Sequence, residues 1–171
     1  MKTIFAYCPN CKSENISTQN GHKHVCADCK FEYFHNVAAA VMVILQCNNE
    51  ILFAKRNENP SKGMLDFPGG FMDYNESATE TVIREIKEEL YFDLAKNEIR
   101  FFSSYPNQYL YKNILYHTLD LGFIVTLEKN RISSFNEQEI ESIIWIKKNE
   151  IAMNEIAFES TKKFISDYLK S

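Results

Sequence analysis

No apolar run in this 171-residue chain approaches the ~20 residues that a membrane-crossing helix needs. Basic charge is also scarce. Nineteen Lys and Arg stand against 23 Asp and Glu, a net charge of −4, whereas a general nucleic-acid binder carries a basic footprint. The first 35 residues contain no arginine, and their Lys2, Lys12, Lys23 and Lys30 are nearly matched by Glu14, Asp28 and Glu32. Met1 to Tyr7 is too short for a secretory leader, and its only charge is Lys2. There is no internal repeat and no low-complexity linker. These absences predict a cytoplasmic protein in a reducing compartment, with no membrane and no nucleic acid as partner. At 45% hydrophobic residues, the chain has room for one substantial core and a small module beside it.

What is present centres on Gly69 to Phe92, GGFMDYNESATETVIREIKEELYF. Gly69 and Gly70 have no Cβ, so their backbone can approach a ligand closely. Ser77-Ala78-Thr79-Glu80 reads as a capping box, which predicts a helix starting there. At about 100° per residue, Val82, Ile83, Ile86 and Leu90 share an arc that faces a core, and Glu85, Glu88 and Glu89 share the neighbouring arc. Like charges at this spacing repel by about 0.2–0.5 kcal/mol per pair. The grouping therefore benefits the helix only with a cation among the glutamates, and hard cations such as Mg²⁺ or Mn²⁺ take such oxygen ligands. Alone, the three glutamates read equally as a solvated acidic face balanced by Arg84 and Lys87.

The second constellation is Cys8-Pro9-Asn10-Cys11, fourteen residues, then Cys26-Ala27-Asp28-Cys29. Two C-x-x-C knuckles at this separation predict a tetrahedral structural zinc site, each knuckle bringing two thiolates to one ion. Disulfides suit an oxidising compartment, which nothing here suggests, and a redox C-x-x-C would open a helix after a strand. So few residues bury too little to fold alone, and coordination supplies the missing free energy. His22 and His24, between the knuckles, could replace a cysteine ligand but are expected to be solvent-facing loop residues. Cys47, in an apolar run, reads as a buried inert thiol.

From Asn36 the pattern changes. Val37 to Gln46 reads as a strand covered on both faces. Asn48-Asn49-Glu50 makes a turn, and Ile51 to Arg56 returns as a hairpin strand. Asn57 to Asp66 reads as a loop. Ile99 to Ser104 and Leu115 to Leu127 read as strands flanking a tyrosine-rich loop, and Ile140 to Lys147 as a further strand. Phe158, Phe164, Ile165, Tyr168 and Leu169 give a closing amphipathic helix. The expected architecture is a mixed sheet between helices.

Gly70, five residues, Glu76, seven residues, then Arg84-Glu85-Ile86-Lys87-Glu88-Glu89 resembles the box of the Nudix hydrolase family. Tyr91 stands where that family has a glycine, which would close the helix in a left-handed conformation. A four-cysteine ribbon ahead of such a domain is similar to the zinc-containing NADH pyrophosphatases, as are Phe31-Glu32-Tyr33-Phe34-His35 leading into the first strand. Their larger members carry a further domain before the ribbon, and their SQPWPFPxS segment is replaced here by Ser103-Ser104-Tyr105-Pro106-Asn107-Gln108-Tyr109. The resemblance implies an α/β fold, a Nudix α/β/α sandwich around a mixed sheet over residues 36–171, after a Cys₄ ribbon over residues 1–35.

The resemblance also implies roles. Glu85 and Glu89 would be the principal Mg²⁺ or Mn²⁺ ligands, Glu88 an additional one, and the Gly69 carbonyl would complete a position. Arg84 would orient glutamates, Glu76 among them. Glu139 resembles a later ligand or general base, with Glu137 and Glu141 as alternatives. Tyr105, Tyr109 and Tyr111 could stack on a base or pack in a sheet, and Lys55 or Arg56 could contact phosphate or be solvated. The expected activity is hydrolysis of the diphosphate linkage in nucleoside-diphosphate derivatives, with NADH, NAD⁺ or ADP-ribose favoured. Nucleoside-triphosphate pyrophosphohydrolysis is one alternative, and a non-catalytic nucleotide sensor whose ribbon binds a partner is another. The expected ligand is a small nucleotide, and a homodimer is left open.

Overall fold

The computed structural model describes residues 5–111, 114–128 and 132–171, and the chain divides into two units, Met1–Val37 and Ala38–Ser171. In the first, β1 (Ile16–Gln19), β2 (Lys23–Cys26) and β3 (Glu32–Phe34) form an antiparallel sheet in that order. Its two cysteine turns are built alike. Lys12 N donates to Cys8 O at 2.8 Å and Lys30 N to Cys26 O at 3.1 Å, and both lysines are left-handed, with φ of 63° and 62°. Asp28 ties the turns together by accepting from Ser13 Oγ and, at 3.0 Å, from Asn15 Nδ2. His22 is exposed, but His24 corrects the expectation of a solvent-facing loop residue. It lies within β2, 2% exposed, with Nδ1 3.1 Å from Thr18 Oγ1 on β1. Desolvation, with the nearby His35 and His22, lowers its pKa.

In the second unit, the Val- and Ala-rich run forms β4 (Ala38–Cys47), and the Asn48-Asn49 turn returns it as β5 (Glu50–Arg56). β6 (Leu65–Asp66), β7 (Ile99–Tyr111), β8 (Ile114–Thr126) and β9 (Ile140–Lys147) complete a mixed sheet in the order β6-β5-β4-β8-β7, with β9 on β5. β4 and β8 are parallel, and the other pairings are antiparallel. Because strand side chains alternate between faces, Val41, Val43 and Leu45 meet Val82, Ile86 and Leu90 of α1 (Ala78–Leu90). Met42 and Ile44 meet Phe164 and Ile165 of α2 (Glu159–Lys170) on the other side. Burial contributes on the order of 1.5–3 kcal/mol for each such side chain. This is the expected α/β/α sandwich, and no helix among the described residues is long and apolar enough to cross a membrane.

The tyrosine-rich stretch is not a loop. It continues β7 and pairs with β8 as far as Tyr111↔Ile114. Pro106 lacks an N–H, yet it is tolerated because β7 is the sheet's edge strand.

Helix α1 begins at the expected box, with Ser77 Oγ accepting from Glu80 N at 3.3 Å and Glu80 Oε2 accepting from Ser77 N at 2.8 Å. It ends on Tyr91, whose φ of 50° and ψ of 35° are left-handed without glycine, and whose N–H donates to Lys87 O at 3.1 Å. A Cβ in this region costs roughly 1–2 kcal/mol, and the exposed Tyr91 side chain has little burial to lose. Tyr91→Gly should therefore stabilise the protein by about 0.5–1 kcal/mol in chemical denaturation, and an unchanged or lower midpoint would contradict this account.

β4 forks. Its last three residues pair with β5, but along its first half the same edge is taken by the glycine-rich loop. Met72 N donates to Ala39 O, Val41 N to Gly70 O and Val43 N to Pro68 O, at 2.8–3.0 Å. The loop thus stands where a strand would stand, in front of α1.

Candidate active site

The loop and α1 are fitted to each other through two glycines. At Gly69, with φ of 144°, a Cβ would land on the carbonyl of Val41 and lift the loop off β4. Its N–H donates to Glu89 Oε2 at 3.0 Å. At Gly70 a Cβ would sit 2.5 Å from Glu85 Oε1. Two carboxylates one helical turn apart thereby reach the backbone of the loop. A misplacement of about 1 Å at such a site can cost 10²-fold in rate. Gly70→Ala should lower kcat about tenfold or more with little change in melting temperature, and full activity would show that Glu85 is free to move without consequence.

Arg84 organises the acidic side. Its Nε and Nη2 donate to Glu76 Oε1 and Oε2 at 2.9 and 3.0 Å, Nη1 to Glu85 Oε1 at 2.7 Å and to Glu88 Oε2 at 3.1 Å, and Nη2 also to Phe71 O at 2.9 Å. The guanidinium, helped by the Asp73 amide and the Thr81 hydroxyl, holds Glu76 down to about 2. Glu85 and Glu89 shift the other way. Burial raises Glu85, opposed by Arg84 and reinforced by Glu88 and Glu139. Burial and then the charge of Glu85 push Glu89 well above the usual carboxylate range, against the Gly69 amide. Desolvated, mutually repelling oxygens are a donor set suited to a hard divalent cation.

Glu139 reaches this group from the loop before β9. It raises both Glu85 and Glu89. Its Oε1 accepts from Asn136 Nδ2 at 2.9 Å, and Asn136 N donates to Glu89 O at 2.8 Å. Glu141 instead pairs with Lys55 at 2.8 Å, and Glu137 is exposed, offering its backbone carbonyl to Asn57 Nδ2 at 2.9 Å.

A cleft of about 180 Å³ opens beside Gly69 and Gly70 on the α2 side of the sheet. Arg56 and Tyr109 both line it. Tyr109 lies between Phe71 and Phe158, with ring centroids at 6.0 and 5.6 Å. The Arg56 guanidinium sits 5.0 Å from the Phe158 ring and pairs with Asp66 at 3.1 Å. Tyr105 is not brought to the cleft. It is 6% exposed in the core under α2, packed on Phe164 with its hydroxyl donating to Asp167 Oδ2 at 3.2 Å. α2 covers this face of β7 only that far, so Tyr109, four residues on, is left to the cleft. The side chain of Tyr111 lies outside the described residues. Sequence reasoning missed Phe71, Phe158, Thr118 and Asp120, which also line the cleft. Phe71 could have been found from its place beside Gly70.

In the first unit, Cys8, Cys11, Cys26 and Cys29 bring their Sγ atoms within 4.8 Å of one another. Cys8 pairs with Cys29 at 3.6 Å and Cys11 with Cys26 at 3.7 Å. Hydrogen bonds from Asn10 Nδ2 and the Phe31 amide draw Cys29 down to about 6. The Ser13 amide favours the Cys11 thiolate, but the sulfurs of Cys29, Cys26 and Cys8, together with burial, push it up to about 12. Four soft donors this close can share one zinc ion, and shared coordination would remove the conflict between them.

Residues 35–168 match the NUDIX domain family. An ADP-ribose pyrophosphatase of Methanocaldococcus jannaschii is 45% identical over 60 residues, which are 35% of this chain and 36% of that protein. An NAD-capped RNA hydrolase NudC of Vibrio atlanticus is 30% identical over 106 residues, 62% of this chain and 38% of that one. The chain therefore spans well under two thirds of these relatives. A NUDIX hydrolase from Nitrosomonas europaea has the same fold, with a TM-score of 0.67 over 96% of this chain and 90% of that one, at 23% identity.

Proposed function

On the premise that this chain belongs to the NUDIX domain family, we propose that it hydrolyses the diphosphate linkage of nucleoside-diphosphate derivatives, NADH, NAD⁺ and ADP-ribose foremost. The observation that carries the reading is the pair Glu85 and Glu89, one helical turn apart and fitted by Gly70 and by the Gly69 amide against a glycine loop that lines an aromatic cleft, with burial raising both carboxyls. A helix gains nothing from such a pair unless a cation compensates it. Glu85, Glu89, Glu88 and the Gly69 backbone would hold Mg²⁺ or Mn²⁺. Such ions neutralise the charge that builds on a cleaving diphosphate and lower the pKa of the attacking water.

The chain's own residues do the rest. Arg84 fixes the glutamate rotamers against the loop, and Glu139, whose charge is felt by both Glu85 and Glu89, would take a proton from water. Phe71, Tyr109 and Phe158 supply ring faces for a base, and Arg56 supplies positive charge beside them. A Cys₄ zinc site in the ribbon and a reducing, cytoplasmic setting suit five unpaired thiols. Light scattering would decide between monomer and homodimer.

The test is turnover on NADH, ADP-ribose, FAD, coenzyme A, dinucleoside polyphosphates and dNTPs, with Mg²⁺ and with Mn²⁺. With a stacking tyrosine but no counterpart to the NADH-pyrophosphatase segment, several adenine-containing diphosphates should be cleaved, NADH over ADP-ribose by less than about tenfold, or roughly 1.4 kcal/mol. Tyr109→Ala should raise KM for all of them by similar factors. Activity confined to dNTPs would replace this reading with a triphosphate pyrophosphohydrolase, and tight binding without turnover would replace it with a sensor.

A further inference from the structure

The floor of the cleft holds a buried acid that the hydrolytic chemistry leaves unused. Thr118 and Asp120 lie two residues apart on β8, facing α2, 3% and 9% exposed. The Thr118 hydroxyl donates to Asp120 Oδ1 at 2.7 Å. Among the described residues no cation pairs with this carboxylate. Arg56, which shares the cleft, is held by Asp66 at 3.1 Å and by Pro60 O at 2.9 Å. The Thr118 hydroxyl engages only Oδ1, and the rest of the carboxylate's acceptor capacity is open toward the cleft that Asp120 lines.

The surroundings are shaped for a flat ring. Across β4 the register neighbours of Thr118 and Asp120 are Ala38 and Ala40, small enough to leave space above the sheet. Phe71, Tyr109 and Phe158 wall that space. At about 180 Å³ it is smaller than the 300–1,000 Å³ of a site that encloses a whole ligand, so it takes one end of a dinucleotide. The loop pairs with β4 through Gly70 and Phe71, one strand short of β8. Asp120 is therefore about two strand spacings, ~10 Å, from the loop that backs Glu85 and Glu89. A diphosphate at the glutamates would place an attached nucleoside over Asp120.

We propose that Asp120, fixed by Thr118, is a specificity-determining residue that accepts a hydrogen bond from an amino group on the substrate's ring, either the exocyclic amine of adenine or the carboxamide of nicotinamide. This rests on the hydrolase reading above. A carboxylate only accepts, so a ring bearing oxygen at the same place is repelled and leaves the acid unpaired.

The experiment compares kcat/KM for ADP-ribose and its hypoxanthine counterpart, and for NAD⁺ and its nicotinic-acid counterpart, in wild type, Asp120→Asn and Thr118→Val. Equilibrium binding of the same four compounds is measured in the slow Glu89→Gln background. The wild type should favour the amino form of one pair by about tenfold or more. Asp120→Asn keeps the Thr118 bond but can also donate, and should bring that ratio within about threefold, with Thr118→Val in between. Loss with hypoxanthine assigns adenine, and loss with nicotinic acid assigns nicotinamide. Ratios unchanged by Asp120→Asn, or no discrimination in the wild type, overturn the proposal while the hydrolase reading stands. Discrimination in binding that follows Asp120, with no turnover of any compound, keeps the proposal and removes the hydrolase reading. Failure of all four to bind overturns both.

Discussion

Glu89→Gln is expected to lower kcat by about 10²-fold or more, the scale lost when one charge-stabilising group is removed from a reaction centre, and Glu85→Gln to do the same. Both substitutions leave the apolar arc of α1 on the core untouched, so the fold should persist. A second readout separates a ligand role from general damage. Burial raises Glu89 above its ordinary 4.5 in the folded protein, so the protonated form is the one the fold favours. The stability tied to it is complete below the unfolded value and is lost as pH rises through the folded value. Glutamine escapes that loss. In EDTA, Glu89→Gln should melt higher than wild type near pH 7, and the difference should vanish near pH 4. In Mg²⁺ the order should reverse. Wild-type rates in either variant would end the assignment of these glutamates to the metal site.

Removing zinc should have an equally large effect on the other unit. Structural zinc contributes about 10–16 kcal/mol to folding of small Cys-rich modules at neutral pH, far more than strands of three and four residues supply. Elemental analysis should find about one zinc per chain after dialysis. Cys26→Ser should lose it and expose the ribbon to proteolysis while the helices of the second unit remain by circular dichroism. EDTA should halt hydrolysis faster than it strips the ribbon, and added Mg²⁺ should restore the rate. Catalysis that instead requires zinc in the thiolate cluster would merge the two metal roles separated here.

Features carried by local chemistry were legible in the sequence. The box of Ser77 and Glu80 marks the helix start because the capping atoms are three residues apart, and the cysteine turns announce themselves by spacing. Features set by partners distant in the chain were not. Tyr105 and Tyr109 share a strand face and look equivalent, yet Phe164 covers one of them and leaves the other in the cleft. Thr118 and Asp120 alternate with leucines, the pattern of a solvated strand face, and only the parallel register with Ala38 and Ala40 turns them into a floor. His24 reads as polar between two cysteine turns, and it is buried where the rings of Phe5 and Tyr33 pack against it. Tyr91 closes α1 in the left-handed conformation that glycine favours, with its N–H on the Lys87 carbonyl and Leu90 before it in the core.

The forked edge of β4 separates two contacts by the length of chain each must close. The Gly69–Glu89 bond joins residues 20 apart, whereas β4 and β8 meet across 80, as at Gln46 and Thr126. Two doublings of loop length cost about 1.2 kcal/mol of additional closure entropy, and non-local pairing delays assembly. The glycine loop and helix α1 can therefore close on each other early in folding, before the parallel pair of β4 and β8 builds the floor of the cleft.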